Sequence, residues 1–278
     1  MTMLSINTNV GALTAAQHSH NVNRSMETSM ERLASGKRVN SAVDDAAGLG
    51  ISTRITAEIQ GLQQSIRNAA DGQALLNVTE GALAEVHTIL LRMRELAVQS
   101  ANDTVRDQDR DMLQTEVAQL EAEIQRISDD TTWSGMTLLA GGFSQANAAT
   151  FQIGPRDTDV ITISIAAIDA TTAAQLALAS HVSTQAAAQD YIVTIDNAIS
   201  KISEQRGKYG ATMNRLDHAM ANMANIVTNL STARGRIMDA DFAAESSNLA
   251  RTQVLQQASM AMLSQANASK QNILALFN

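Results

Sequence analysis

The sequence predicts a mainly α-helical protein, a long antiparallel helical rod or coiled-coil bundle that carries a small β-hairpin insert. Of its 278 residues 3% are aromatic, one is proline and none is cysteine, while 45% are apolar. Such a composition favours long helices over sandwiches and barrels. Apolar residues recur every three or four positions over long stretches, as on one face of a helix. A short central segment alternates instead, which is typical of strands.

The first predicted element is an N-terminal helix with a seven-residue repeat. The repeat consists of Ala12, Ser19, Met26 and Leu33, and a second row beside it contains Ala15 and Val22. The remaining residues are mostly small and uncharged, and the first charged residue is Arg24. Because a helix face in water is normally charged, this helix is expected to pack against others on several sides.

A second helix is predicted from about residues 44–48 to about residues 100–102, and a shorter third helix follows. Their seams consist of Ile55, Ile59, Leu62, Ile66, Ala69, Gln73, Leu76, Glu80 and Leu83, and of Leu113, Val117, Leu120, Ile124 and Ile127. Asn102 and Asp103 offer an N-cap, and Asp107 and Asp109 lie where a helix start favours negative charge. The short link predicts an antiparallel pair.

The middle of the chain predicts a β-hairpin. Phe151 and Ile153 alternate with polar residues, residues 154–157 (GPRD) form a turn signal, and alternation resumes at Ile161, Ile163 and Ile165. Two alternating runs separated by a turn are the pattern of paired antiparallel strands. Residues 166–188 are rich in Ala, Thr, Gln and Ser, and little in them fixes a fold.

The longest periodic stretch runs from Ile192 to Ile237. Steps of three and four residues alternate without a slip, and every seam position is apolar except Arg206 and Arg234. This is a coiled-coil seam. At a rise of 1.5 Å per residue it predicts a helix roughly 70 Å long.

The C-terminal segment resembles the N-terminal one in its lack of charge. After Thr252 the only charged residue is Lys270, and neither Gly nor Pro occurs. Two seven-residue rows run through it: Leu255, Met262, Ser269 and Leu276, and Ser259, Ala266 and Ile273. The segment therefore predicts a helix without a charged solvent face.

Both ends are expected to be loosely ordered in the monomer and to become ordered when packed together and against many copies. An isolated helix of this kind is marginal in water, whereas each buried Leu, Ile or Met contributes roughly 1.5–3 kcal/mol. The alternatives are frayed tails, which rarely carry heptads, and membrane-surface helices, which usually carry Lys or Arg on the polar face. The pattern favours assembly.

Charge and composition exclude several classes of function. A formal charge of −8 argues against a nucleic-acid binder. Without cysteine there is no disulfide framework, thiolate zinc site or cysteine nucleophile. The histidines form no HExxH motif, and His18 and His20 diverge on a helix. We therefore expect no catalytic residue, no cofactor and no metal site, and we do not expect an enzyme.

Membrane spans and secretory signals are also not expected from the sequence. It contains no run of 18 apolar residues, and its first residues lack a basic region followed by an apolar core. If the protein is exported, other machinery must carry it.

Several runs, in the same order along the chain, resemble those of the bacterial flagellins. They are residues 6–9 (INTN), 31–48 (ERLASGKRVNSAVDDAAG), 94–102 (RELAVQSAN), 233–237 (ARGRI), 239–242 (DADF), 253–258 (QVLQQA) and 271–276 (QNILAL). The resemblance covers nearly the whole chain. Only a short segment, roughly 140–188, stands where many flagellins carry large outer domains, so the chain looks like a minimal flagellin.

The resemblance implies an inner coiled-coil domain from residues 1–43 and 239–278. The outer rod would take its N-terminal helices from 44–137, a β-hairpin and short variable segment from 138–188, with the hairpin near 138–166, and its long C-terminal helix from 189–238. Side chains implied in inner-domain and inter-subunit packing are Val22, Met26, Leu33, Leu255, Met262, Leu263, Ile273 and Leu276.

The function implied is that of a subunit polymerising into the extracellular flagellar filament for swimming motility. The family resemblance further implies unfolded export through the flagellar secretion channel with a chaperone on the C-terminal helix, and contacts with filament cap and hook-junction proteins. No nucleic-acid partner and no membrane insertion are expected. Alternatives are a hook–filament junction protein and, in another class, a chemoreceptor-like signalling hairpin, which would need a tight tip in place of the β insert.

A further surface is implied by the same resemblance. In the family, positions that match Arg92, Glu95, Leu96 and Glu116 are read by an animal innate receptor of the Toll-like class. The present sequence departs from many recognised flagellins at Leu91, where they carry Gln. The alternative role of these residues is contact between subunits.

Overall fold

The computed structural model describes residues 8–141, 148–165, 167, 176, 178 and 182–275. Its elements in chain order are α1 (Val10–Ser35), α2 (Ala46–Ser100), α3 (Asp107–Asp130), β1 (Thr132–Trp133), β2 (Met136–Thr137), β3 (Ala148–Gln152), β4 (Val160–Ser164), α4 (Gln185–Met238) and α5 (Phe242–Ala275). The described residues fall into two compact units, one from Met1–Ala57 and Thr228–Asn278 and the other from Glu58–Val227. The predicted mainly α fold with a small β insert is confirmed.

In the first unit, helix α1 packs along α5, and the loops at their ends are tied together. Gly36 ends α1 in a left-handed conformation, with φ of 69°, which glycine adopts without strain. Its carbonyl accepts from the Ala240 N–H at 3.0 Å, and the Arg38 N–H donates to the Met238 carbonyl at 2.6 Å. These two backbone bonds fix where α1 ends relative to the start of α5.

The start of α2 depends on two neighbouring aspartates. Asp45 caps the helix, because its Oδ1 accepts from the Gly48 N–H at 2.8 Å. A Cβ at position 48 would overlap the Asp45 carboxylate, so glycine is required there. The Asp44 carboxylate accepts from the N–H groups of Ser41 and Asn40 at 2.9 and 3.1 Å, and these bonds lower the pKa of Asp44.

In the second unit, α2 and α4 run antiparallel. Three polar pairs join them, and the residue numbers fall along α2 as they rise along α4: Arg94 with Asp196, Glu80 with Arg206, and Gln73 with Asp217. Between these pairs the buried side chains include Leu76, Leu83, Leu90 and Met93 of α2, each 0% exposed. Leu76 and Leu83 belong to the seam predicted from the sequence, which therefore forms part of the core of this unit.

Five of the fourteen predicted seam positions of α4 are buried. One row, Ile195, Ile202, Tyr209, Leu216 and Met223, is at most 4% exposed. The alternate row, which includes Ile192, Ile199, Met213 and Met220, is partly exposed. Tyr191 and Ala198, which lie off the predicted seam, are buried instead, at 0% and 1% exposure. The period was correct, but the buried face is turned by about one residue in the N-terminal part of the helix.

Helix α3 lies antiparallel to α2, as predicted, but its predicted N-cap was wrong. The helix begins at Asp107, the capping position is Arg106, and no side chain caps it. The Asn102 side chain accepts from Thr104 within the link instead. The link is held by Arg110, which is 6% exposed and donates to the carbonyls of Ser100 and Asn102 at 3.0 and 3.1 Å. The predicted acidic first turn is confirmed by Asp107 and Asp109.

The predicted β-hairpin is confirmed as β3 paired with β4. The register joins Ala148 to Ser164 and Gln152 to Val160, and Ile161 and Ile163 are each 5% exposed. A second, smaller hairpin, β1 with β2, was not predicted. Its two turn residues, Ser134 and Gly135, have φ of 52° and 82°, which matches the left-handed turn that short hairpins need.

Residues 166–188 lie largely outside the described residues, but three anchors within them are described. Leu176, Leu178 and Val182 are at most 4% exposed. Both backbone groups of Val182 are bound: its N–H donates to Gln114 Oε1 at 2.6 Å, and its carbonyl accepts from Ser100 Oγ at 2.5 Å. These contacts hold the chain against α2 and α3 just before α4 begins.

The β3–β4 hairpin rests on α2 at two glycines. A Cβ at Gly72 would lie 2.9 Å from the Phe151 ring, and one at Gly61 would lie 3.3 Å from Pro155. Both distances are shorter than ordinary carbon–carbon contacts. The hairpin also accepts a hydrogen bond from the Asn68 amide to the Gln152 carbonyl at 3.1 Å. Glycine at these positions lets the hairpin approach the helix closely.

We expect Gly72→Ala to destabilise the chain by about 1–3 kcal/mol, because the Phe151 ring must shift away from α2. The matched control is Gly81→Ala, since a Cβ there meets nothing within 4 Å. That change should stabilise the same helix by about 0.5–1 kcal/mol, because alanine has less backbone freedom than glycine in the unfolded chain and loses less entropy on folding. Urea unfolding measures both. Stabilisation by both substitutions would contradict the close approach.

One helix is long and apolar enough to cross a membrane by length and composition. In α2 an 18-residue window reaches a mean hydropathy of 1.2, and 33% of that window is buried. A core helix passes the same test, and the buried stripe of α2 packs against α4 here. The finding is therefore weak evidence for a membrane span.

Candidate assembly surfaces

Helices α1 and α5 are held together by polar contacts along their length. Asn9 caps α1 through its Oδ1, which accepts from Ala12, and its Nδ2 donates to the Ala266 carbonyl of α5 at 3.1 Å. Further along, Gln256 donates to Asn23 at 3.0 Å. Near the other end, Ser29 donates to Glu245 at 2.7 Å, and both are at most 9% exposed. The two helices therefore run antiparallel in a fixed register.

An apolar groove runs between these two helices. It encloses about 580 Å³, and its lining includes Gly11 and Ala15 of α1 and Leu255, Met262 and Ala266 of α5. Met262 is 65% exposed and Leu255 is 45% exposed. Among the residues whose side chains the structure describes, no Asp, Glu, Lys or Arg lines the groove. Apolar side chains left in water along an uncharged groove mark an interaction surface.

The side chains predicted for packing differ in exposure, and two of them, Leu255 and Met262, line this groove. Val22, Met26, Leu33 and Leu263 are partly buried. Leu255 and Met262 face solvent. Ile273 lies in α5, but its side chain falls outside the described part of the structure, as does all of Leu276.

Sequence reasoning noted Val254 as an apolar residue off the seven-residue rows but missed other exposed apolar residues on the same helices. Val10 and Leu13 of α1 are 61% and 62% exposed, and Val254 and Met260 of α5 are 66% and 56% exposed. Val10, Leu13 and Met260 lie off the seven-residue rows, so a search for those rows did not find them. These side chains add exposed apolar surface to both helices outside the groove lining, which suits helices with several neighbours.

The positions implied in receptor contact are only partly brought together. Arg92 binds Glu95 at 2.6 Å and Glu116 of α3 at 2.9 Å, and these hydrogen bonds raise the pKa of Arg92. All three side chains are between 44% and 68% exposed. Leu96 does not share this surface, because it is 1% exposed and belongs to the core. Leu91 is 48% exposed.

Two interruptions of the predicted seams pair with each other. Arg206 of α4 donates to Glu80 of α2 through Nε at 2.9 Å and Nη2 at 2.7 Å. The side chains are 34% and 32% exposed, so water screens much of the attraction. The sequence displayed both polar positions, but their pairing becomes visible only when the antiparallel register of the helices is known.

Comparisons with known proteins give matches along almost the whole chain. A sequence model described as the bacterial flagellin N-terminal helical region matches residues 6–144, and one described as the C-terminal helical region matches residues 192–277. A flagellin of Halalkalibacterium halodurans is 41% identical over 272 residues, or 98% of either chain. The flagellar filament 33 kDa core protein of Treponema phagedenis is 37% identical over 98% of this chain and 99% of its own.

A solved structure also matches. The crystal structure of Bacillus cereus flagellin superposes with a TM-score of 0.51 at 32% identity, covering 60% of this chain and 94% of the other.

Proposed function

This chain belongs to the bacterial flagellin family, and from that premise we infer how it works: it is a structural subunit that polymerises with its own copies into a flagellar filament. The family is one of structural proteins, so the chain is not an enzyme. The filament is extracellular and serves motility. The hook–filament junction and chemoreceptor alternatives are not favoured.

We propose that the uncharged groove between α1 and α5 is a contact surface between copies of the chain. Burial of the exposed Leu255 and Met262 would stabilise the contact by roughly 25 cal/mol for each Å² of apolar surface removed from water. Each described helix of the pair displays further exposed apolar side chains, so one copy can contact several others. Val22, Met26, Leu33 and Leu263 would hold the pair together, and Ile273 and Leu276 would extend it.

We also propose the domain division implied by the family. Residues 1–43 and 239–278 would form the inner domain, and 44–137, 138–188 and 189–238 the outer one. The pairing of α1 with α5 and of α2 with α4 supports the grouping of the two chain ends.

Delivery is part of the proposal. The chain would leave the cell unfolded through the flagellar secretion channel, without a cleavable signal peptide and with an export chaperone on the C-terminal helix. It would then meet the filament cap and hook-junction proteins. The absence of cysteine supports this route, since no disulfide has to form after passage.

The polymer proposal is tested by electron microscopy and sedimentation of the purified protein at rising concentration. We expect filaments with a central channel above a critical concentration and monomers below it. A protein that remains a monomer or a fixed dimer at every concentration would contradict the proposal.

A second role is proposed for the Arg92–Glu95–Glu116 surface, as a contact for an animal innate receptor of the Toll-like class. Its support is the joint exposure of three ion-paired side chains on α2 and α3. Leu96 would act only by supporting the helix from the core. Purified monomer should activate receptor-expressing cells, and inactivity at every dose would remove this role.

A further inference from the structure

A polar cavity lies between α1 and α5, separate from the apolar groove. It encloses about 380 Å³ and is lined by Ser25, Thr28, Ser29 and Arg32 of α1 and by Glu245, Asn248, Arg251 and Thr252 of α5. All eight residues are polar or charged. Two guanidinium groups and one carboxylate give the cavity an excess of positive charge.

The guanidinium groups lack acceptors. Arg32 Nε is buried and has no hydrogen-bond partner among the described residues. Its Nη1 lies 3.9 Å from Glu245 Oε2, beyond hydrogen-bond range. Arg251 is exposed, so water reaches its guanidinium, and within the described part of the chain it makes no hydrogen bond and no ion pair. An arginine cannot shed its proton, so these N–H groups require acceptors.

One oxygen of the Glu245 carboxylate and the hydroxyl protons around the cavity are already in use. Glu245 Oε1 accepts from Ser29 at 2.7 Å. The hydroxyl groups of Ser25, Thr28 and Thr252 donate to backbone carbonyls of their own helices at 2.9–3.0 Å. The donors left facing the cavity are those of Arg32 and Arg251, and the Asn248 amide has no partner among the described residues.

We propose that this cavity is an oxyanion-binding site, which takes a carboxylate or a phosphate group between α1 and α5. A planar or tetrahedral oxyanion offers the several acceptor oxygens that two guanidinium groups and an amide lack, and guanidinium groups bind such oxygens in pairs. The anion comes from free solute or from an acidic side chain of a second copy of this chain. Only the second source rests on the proposed polymer function.

The first arm of the test uses dilute monomer and arginine modification by phenylglyoxal, followed by mass spectrometry. Inorganic phosphate, at constant ionic strength, should slow modification of Arg251 saturably and by at least about fivefold, as expected for displacement of a charge-assisted bond. Arg24 is the internal control, because its guanidinium already bonds Asn21 at 2.6 Å. Equal slowing at both arginines, or no slowing, overturns the site.

A variant shows whether the two helices act together. Arg32→Gln should remove the protection of Arg251 by phosphate. If circular dichroism reveals a loss of helicity in that variant, Asn248→Ala tests the same point from α5. Full protection in the folded variant means that the cavity is not the binding site.

The second arm identifies the source of the anion. If an acidic side chain of a second copy fills the cavity, phosphate should raise the critical concentration for polymerisation of the wild type but not of Arg251→Gln. An unchanged wild-type critical concentration, together with protection of Arg251, assigns the site to free solute. A wild type that never polymerises contradicts the proposed function and leaves the first arm intact.

Discussion

Met262→Asp is expected to abolish polymerisation while leaving the monomer folded. Met262 is 65% exposed and lines the uncharged groove between α1 and α5, so its replacement removes little packing from the monomer. In a contact between copies, the aspartate would be buried without a partner, at a cost of several kcal/mol. A loss of about 4 kcal/mol per subunit raises the critical concentration roughly a thousandfold. Sedimentation measures the polymer, and circular dichroism measures the helicity of the monomer.

Met262→Leu is the matched control for this prediction. Leucine keeps the apolar character and nearly the volume of methionine, and such exchanges usually cost less than about 1.5 kcal/mol. The control should therefore still form filaments. Normal filaments of Met262→Asp would rule out the groove as a contact, and a fall in helicity alone would assign Met262 to folding instead.

The long helices were predictable because each carries its own periodic signal. The predicted bounds of α2 differ from the observed Ala46–Ser100 by at most two residues. The helix begins after the capping residue Asp45 and ends at the link to α3, and both signals lie in the residues next to its ends. The hairpin of β3 and β4 was predictable for the same reason. Alternation and turn residues act over a few positions, and tertiary contacts here agree with them.

The unpredicted features depend on register between distant segments. Arg206 and Glu80 each interrupt an apolar seam in the sequence, and their ion pair becomes recognisable only when α2 and α4 are aligned. The same alignment decides which row of the α4 seam is buried. The predicted N-cap of α3 was wrong because the capping position is Arg106, and Arg110 instead holds the link by donating to carbonyls ten and eight residues away. A local capping rule does not contain that contact.

The candidate surfaces show a similar division. The scarcity of charge at the two ends of the chain was evident from the sequence, but the exposure of Val10, which lies off the seven-residue rows, was not. Leu96 was grouped with Arg92 because the family resemblance implies both in receptor contact, and the two lie four residues apart. Residues four apart lie on neighbouring parts of a helix face. Here the buried stripe of α2 includes Leu96, while Arg92 remains in water.

Ile202→Ala is expected to destabilise the monomer by about 3 kcal/mol, and Ile199→Ala by about 1 kcal/mol. Both are isoleucines on the predicted seam of α4, three residues apart. Ile202 is 2% exposed and belongs to the buried row, so its loss leaves a cavity. Ile199 belongs to the row that is partly exposed, so solvent fills part of the space. Urea unfolding of the dilute monomer, with the slope m checked for constancy, measures the difference.

The two substitutions separate the stability of the monomer from assembly. If the partly exposed row contacts another copy, Ile199→Ala raises the critical concentration more than its small effect on unfolding accounts for. Ile202→Ala lowers the population of folded monomer and should affect polymerisation only through that loss. Equal effects of the two changes on unfolding would mean that both rows are buried in the monomer, and the division of the seam would be wrong.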